Sequence, residues 1–138
     1  MTETKIQMRF ADTDMLGHIN NINLQHYFDM GRQDYMRNVL RVPLVWDREG
    51  MIMASVETQY LHQTRFGDPV CVTTCVERLG NKSVTMFQRL LNEQTGRVHA
   101  ECRAVVVAFD YGTQQTIPVP ALWRARIEEY ERNETNTK

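Results

Sequence analysis

The chain has 138 residues, enough for one domain of ordinary size. It is 42% hydrophobic and 24% charged, with sixteen basic and seventeen acidic side chains and a net charge of −1. These values fit a globular protein and argue against a disordered chain or a basic nucleic-acid-binding face. The longest apolar run, the six residues Ala104–Phe109, falls far short of the ~20 that cross a bilayer. The opening Met-Thr-Glu-Thr-Lys lacks the apolar core expected of a signal peptide.

Taken in chain order, Ile6, Met8 and Phe10 alternate, which predicts an opening strand over Thr4–Phe10. Ala11–Ile19 reads as a loop carrying Asp12, Asp14 and Gly17. A helix is expected from Asn20, a favoured N-cap, to about Leu40, ahead of Pro43. Leu24, Tyr27, Phe28, Gly31, Tyr35 and Val39 mark its apolar face; Gln25, Asp29, Arg32, Gln33 and Arg37 mark the polar one. Gly31 on the apolar face implies a close approach to whatever lies beneath. Val42–Gly50 predicts a short helical turn.

From Met51 the pattern changes to strands: Met51–Leu61, a turn over Arg65–Pro69, a strand from Val70, and a Gly80-Asn81 turn. A strand from Lys82 to Leu90, a Thr95-Gly96 turn and a long strand Val98–Asp110 follow. Trp123, Ile127 and Tyr130 mark a terminal helix, with a polar tail at 133–138 after a single domain over 1–132. About five hairpin-linked strands and one long helix predict an α+β fold. An antiparallel sheet curls round the helix and leaves an edge or face for a second subunit.

Three cysteines argue against a disulfide framework, and no Cys-x-x-Cys suggests zinc. A reducing, cytoplasmic setting is expected. Asp12-x-Asp14 with Gly17 could open a calcium loop, but Asn23 stands where the bidentate Glu is needed. The stretch Arg9–Asn21 instead sets a carboxylate, an imidazole and two amides before a helix N-terminus, whose free N–H groups can hold charge developing on a carbonyl oxygen. A carboxylate there could attack that carbonyl or activate water.

The pattern Arg9-x-x-Asp-x-Asp-x-x-Gly-His-x-Asn-Asn, continuing to Tyr27-Phe28 and Arg32, resembles the hotdog-fold acyl-CoA thioesterases of the 4-hydroxybenzoyl-CoA thioesterase-like group. Phe66-Gly-Asp-x-Val70, Gly80-x-Lys-Ser83, Val105–Asp110 and Ile117-Pro118 extend the match, which runs from about Arg9 to Pro120. The resemblance implies a curved sheet wrapped round one long central helix, and a homodimer or homotetramer with sites at the interface. Asp14 is then the nucleophile or general base, the backbone N–H near Asn21 holds the oxyanion, and His18 supports them. Related plant acyl-carrier-protein thioesterases have Asp-x-Asn-x-His in this loop; Asp14 and His18 match, and Leu16 stands in place of the Asn.

The same resemblance puts Gly17 and Asn20 at the substrate, Asp29 at a ring substituent, and Lys82 and Ser83 at the coenzyme A phosphates and pantetheine arm. The acyl group would lie near Tyr27, Phe28 and the strand Met51–Tyr60. Acyl-CoA is the expected small-molecule partner and substrate, with no metal or redox cofactor, no nucleic acid and no membrane. Two alternatives share the motif: hydrolysis on acyl-carrier protein, and a non-catalytic acyl-CoA-binding protein.

Overall fold

A computed structural model describes residues 1–42 and 48–136. The strands are β1 (Thr2–Lys5), β2 (Glu49–Tyr60), β3 (Val70–Leu79), β4 (Ser83–Asn92), β5 (Val98–Asp110) and the two-residue β6 (Gln115–Thr116). They form one antiparallel sheet in the order β1-β3-β4-β5-β2, with β6 on β5. Helix α1 (Asn21–Tyr35) lies against β1, β3 and β4 and is prolonged by a π-helical turn, Met36–Leu40. Helix α2 (Ala121–Asn136) packs on that turn and on β3.

The opening strand differs from expectation. Only Thr2–Lys5 forms a ladder, with β3, and Ile6 adds one bond to the Val70 carbonyl. Residues 7–9 leave the sheet, and Phe10 is 79% exposed. Strand β2 starts at Glu49, so Gly50 lies in the ladder opposite Phe109 and does not end a helix. The rest of the turn expected over Val42–Gly50 falls largely on residues 43–47, outside the described residues. Helix α2 continues past Asn133, where the sequence turns polar.

Two apolar clusters hold α1 to the sheet. Ile19, Leu24, Tyr27 and Phe28 pack with Val70, Val72, Leu90 and Ala100; Tyr35, Val39 and Leu40 pack with Val84, Met86, Val106, Trp123 and Ile127. A buried polar layer separates them. Gln88 Nε2 donates to the Phe28 carbonyl (2.8 Å) and to Thr74 Oγ1 (3.0 Å), while Arg32 Nη1 donates to Gln88 Oε1 (2.9 Å). Arg32, expected on the solvated face, is therefore a core residue, only 7% exposed. At Gly31 the approach is close: a Cβ would sit 2.6 Å from Val72 Cγ1 and 2.8 Å from Gln88 Nε2.

The sheet has two edges, β1 and β2. Most of β2 is exposed on both faces, including Met53, Val56 and Tyr60. A bulge between Met53 and Ser55 bends it. Cys71, Cys75 and Cys102 form no disulfide, and Cys71 and Cys102 are buried. Among the described residues no helix is long and apolar enough to cross a membrane.

Candidate active site

The loop before α1 is built on Asp12, which is almost fully buried. Its Oδ1 accepts from Arg9 Nε (3.1 Å) and Nη2 (2.9 Å). Its Oδ2 accepts from the Arg9 N–H (3.1 Å) and the Tyr27 hydroxyl (2.6 Å). Burial alone would raise this carboxyl's pKa, but the bonds from Tyr27 and Arg9 outweigh it and the net direction is down. Burial, then the bond to Asp12, pushes the Tyr27 phenol up. The Asp12 carbonyl accepts from the Asn20 N–H at 2.9 Å, which fixes the loop to the helix start.

Asp14 is exposed and differently employed. Its Oδ1 accepts from the N–H groups of Leu16 (2.9 Å) and His18 (3.2 Å), closing an Asx-type turn. Gly17 completes that turn with φ +79°. Asp14 Oδ2 accepts no hydrogen bond among the described residues. At the helix start the Asn20 side chain caps Ile22 N–H (2.8 Å), and its carbonyl takes the Asn23 and Leu24 N–H groups. The N–H of Asn21 alone among these four has no acceptor in the described residues.

Residues 60–64 supply a second wall. The Ile19 N–H donates to the Thr64 carbonyl (2.7 Å), Phe66 N–H to Gly17 carbonyl (3.4 Å), and His18 bridges Arg65. His99 at the start of β5 braces this wall. Its carbonyl accepts from the Leu61 and His62 N–H groups, and its Nδ1 meets Thr64 Oγ1 at 2.9 Å. Burial, and then the neighbouring His62, holds the His99 imidazole below its ordinary pKa. Between the walls lies a cleft of about 490 Å³ lined by Asp14, His18, Asn21 and Leu24 on one side and Tyr60, His62 and Thr64 on the other.

The structure thus joins Asp14, His18 and Asn21 in one cleft, with Gly17 and Asn20 shaping its rim. It does not place Tyr27 there: the ring is core, with its hydroxyl occupied by Asp12, and Phe28 is fully buried beside it. Asp29 faces another groove, with Lys5, Met30 and Arg37, and lies 3.6 Å from Arg32. Ser83 begins β4, with Lys82 in the turn just before it, far from the cleft along the sheet. Ser83 pairs Val107 and Tyr60 pairs Ala100, seven residues or about 23 Å apart along β5. The bracing pair His62 and His99 had no signal in the sequence, because they meet only through the β2–β5 pairing.

The sequence profile of the thioesterase-like superfamily matches residues 8–127. The chain belongs to that superfamily. The thioesterase-like assignment accords with the solved structure of a predicted thioesterase from Bacillus stearothermophilus. That protein is 31% identical, with 92% of this chain and 93% of the other covered and a TM-score of 0.82. A thioesterase from Thermus thermophilus, solved with coenzyme A and Zn, is 26% identical over 92% and 91% of the chains, with a TM-score of 0.80. The long-chain acyl-CoA thioesterase FadM of Escherichia coli K12 is 21% identical over 92% of this chain and 97% of its own. The curled sheet round one helix is the hotdog fold, and the protein is a thioester hydrolase by family.

Proposed function

We propose that this protein hydrolyses an acyl-CoA to the free acid and coenzyme A. One observation carries the reading: a carboxylate oxygen without a hydrogen-bond donor, on Asp14, and a helix N–H without an acceptor, on Asn21, border the same cleft. With the thioester carbonyl on the Asn21 N–H, the positive end of α1 stabilises the oxygen as it becomes an anion. Asp14 either takes a proton from the attacking water or attacks the carbon itself. Both routes put the same charge on the same oxygen. The C–S bond then breaks and the thiolate leaves; on the second route water then hydrolyses the acyl–Asp14 anhydride and restores the carboxylate, and on both routes water supplies the atoms gained by acid and thiol. No cofactor enters this sequence.

The nucleotide end needs a second subunit. If β2 pairs with its own copy antiparallel about the middle of Glu49–Tyr60, Tyr60 of one chain falls opposite Glu49 of the other. Ile52 of that copy is level with its Val107 and Ser83. Lys82 and Ser83 of the second subunit, three strands across, are then offset from the first subunit's cleft wall by about three residues, ~10 Å along the strands and ~14 Å across them, a span that an extended pantetheine arm can bridge. The same pairing occupies the unpaired backbone groups of the β2 edge and sets its exposed apolar side chains beside cross-strand neighbours. The buried thiols of Cys71 and Cys102, outside any disulfide, fit a reducing compartment such as the cytoplasm.

The test is a panel of acyl-CoAs assayed for released thiol with a thiol-trapping dye. Many turnovers per protein on at least one member is the expected result. Tight binding throughout without thiol release would show a ligand-binding protein instead.

A further inference from the structure

Next to the cleft, at Tyr60, the helix and the edge strand are bridged. One helical turn beyond Asn21, Gln25 bridges α1 to β2: its Nε2 donates to Thr58 Oγ1 at 2.7 Å and to the Tyr60 hydroxyl at 3.1 Å. Thr58 and Tyr60 are two residues apart, so both side chains rise from the same face of β2. Tyr60 also lines the cleft. Gln25 lies four residues, about 6 Å, along the helix from the N–H that would hold the carbonyl oxygen. An acyl group that starts there and runs along α1 past Leu24 and Tyr60 would meet this bridge after roughly the length of one aromatic ring.

The bridge is also chemically specific. With both hydroxyl oxygens accepting from Gln25, their two O–H protons remain available, and Gln25 Oε1 accepts no bond among the described residues. A methylene chain laid over the wall would leave these groups without water and without partners. An acyl end bearing oxygen would satisfy them, and burial of unpaired polar groups is the stronger discriminator.

We propose that Gln25, Thr58 and Tyr60 form a selectivity wall that favours compact acyl groups carrying a hydroxyl or carbonyl oxygen at their far end over long alkyl chains. This rests on the acyl-CoA hydrolase reading above. Gln25 selects and takes no part in bond breaking.

The experiment compares kcat/KM for released thiol on a palmitoyl, a hexanoyl, a 6-hydroxyhexanoyl and a hydroxybenzoyl thioester of coenzyme A. The parent protein should prefer the two hydroxylated acyl groups. Gln25→Ala should raise the palmitoyl-to-hexanoyl ratio by about 10-fold or more, because the wall is gone. Thr58→Val keeps the shape and should lower the hydroxylated-to-plain ratio at equal chain length by about 10-fold while leaving the length limit in place. A parent that prefers palmitoyl, or a Gln25→Ala protein with unchanged ratios, overturns the proposal. If the hydrolase reading itself fails, no thioester in the set releases thiol. Calorimetric binding of the intact thioesters then decides: compact oxygenated groups ahead of palmitoyl support the wall, and the reverse order overturns it.

Discussion

Two carboxylates two positions apart in the chain have opposite fates, and the reason is their partners. Asp12 is buried and receives four hydrogen bonds from Arg9 and Tyr27. Asp14 shapes a turn with one oxygen and presents the other to the cleft. Arg9 is a neighbour of Asp12 in the chain, but the Tyr27 bond, fifteen residues on, could not be read from the sequence. His99 is the residue that makes the cleft wall sensitive to acid. Its pKa is depressed in the folded chain, first by burial. Below the ordinary value of 6.5 the unfolded chain therefore binds more protons than the folded one, and stability is lost as pH falls from 6.5 toward the depressed pKa. Thermal melts between pH 7 and 5 should show a falling Tm. In His99→Asn, whose amide can still meet Thr64, the fall should be shallower. An identical slope would mean that His99 does not carry this dependence.

At the level of elements, α1 is placed by contact at Gly31. A methyl group there would strike Val72, Gln88 and Thr74, and so displace the amide that Gln88 gives to Phe28. The overpacking cost of ~1–3 kcal/mol plus the lost bond exceeds the ~1 kcal/mol that alanine gains in a helix. Gly31→Ala should therefore lower the urea midpoint, by about 1–2 kcal/mol in stability; a midpoint at or above the parent's would refute the close packing. This contact was legible, since a glycine on an apolar helical stripe marks a place where a side chain would not fit. So were the Asn20 cap, the two tight turns after β3 and β4, and the hairpins those turns close, all of which depend on local residue chemistry. The pairing of β2 with β5, in place of its sequence neighbour β3, was not, because it joins segments about fifty residues apart. The start of the sheet was not. Ile6, Met8 and Phe10 alternate as a strand would, yet the register with β3 admits only Thr2–Lys5, and Phe10 turns outward to pack edge-on against Phe66. Arg32 was misplaced for a similar reason: helical periodicity assigns it to the polar side, while Gln88 and Cys102, far along the chain, draw it into the core. Tyr27 and Phe28 lie on the sealed side of α1, whereas Gln25 on the same helix bridges to β2.

For the molecule as a whole, a twelve-residue edge strand with exposed Met53, Val56 and Tyr60 is unfavourable in an isolated subunit. Pairing through β2 should yield a symmetric dimer or a tetramer built from it, with more than ~1,000 Å² buried at the interface. Light scattering at micromolar concentration should show no monomer; a monomer would remove the second subunit's hairpin from the site. Above all, the proposed hydrolysis depends on the Asp14 carboxylate. Its most direct test is the rate of thiol release by Asp14→Asn against the parent, on the acyl-CoA that the parent turns over fastest. The asparagine carbonyl can still accept from Leu16 and His18, so the loop and the Tm should persist while the anion is lost. The expected result is a fall in kcat of at least ~100-fold, with a smaller fall for His18→Ala. An Asp14→Asn protein within a few-fold of the parent would contradict a chemical role for this carboxylate.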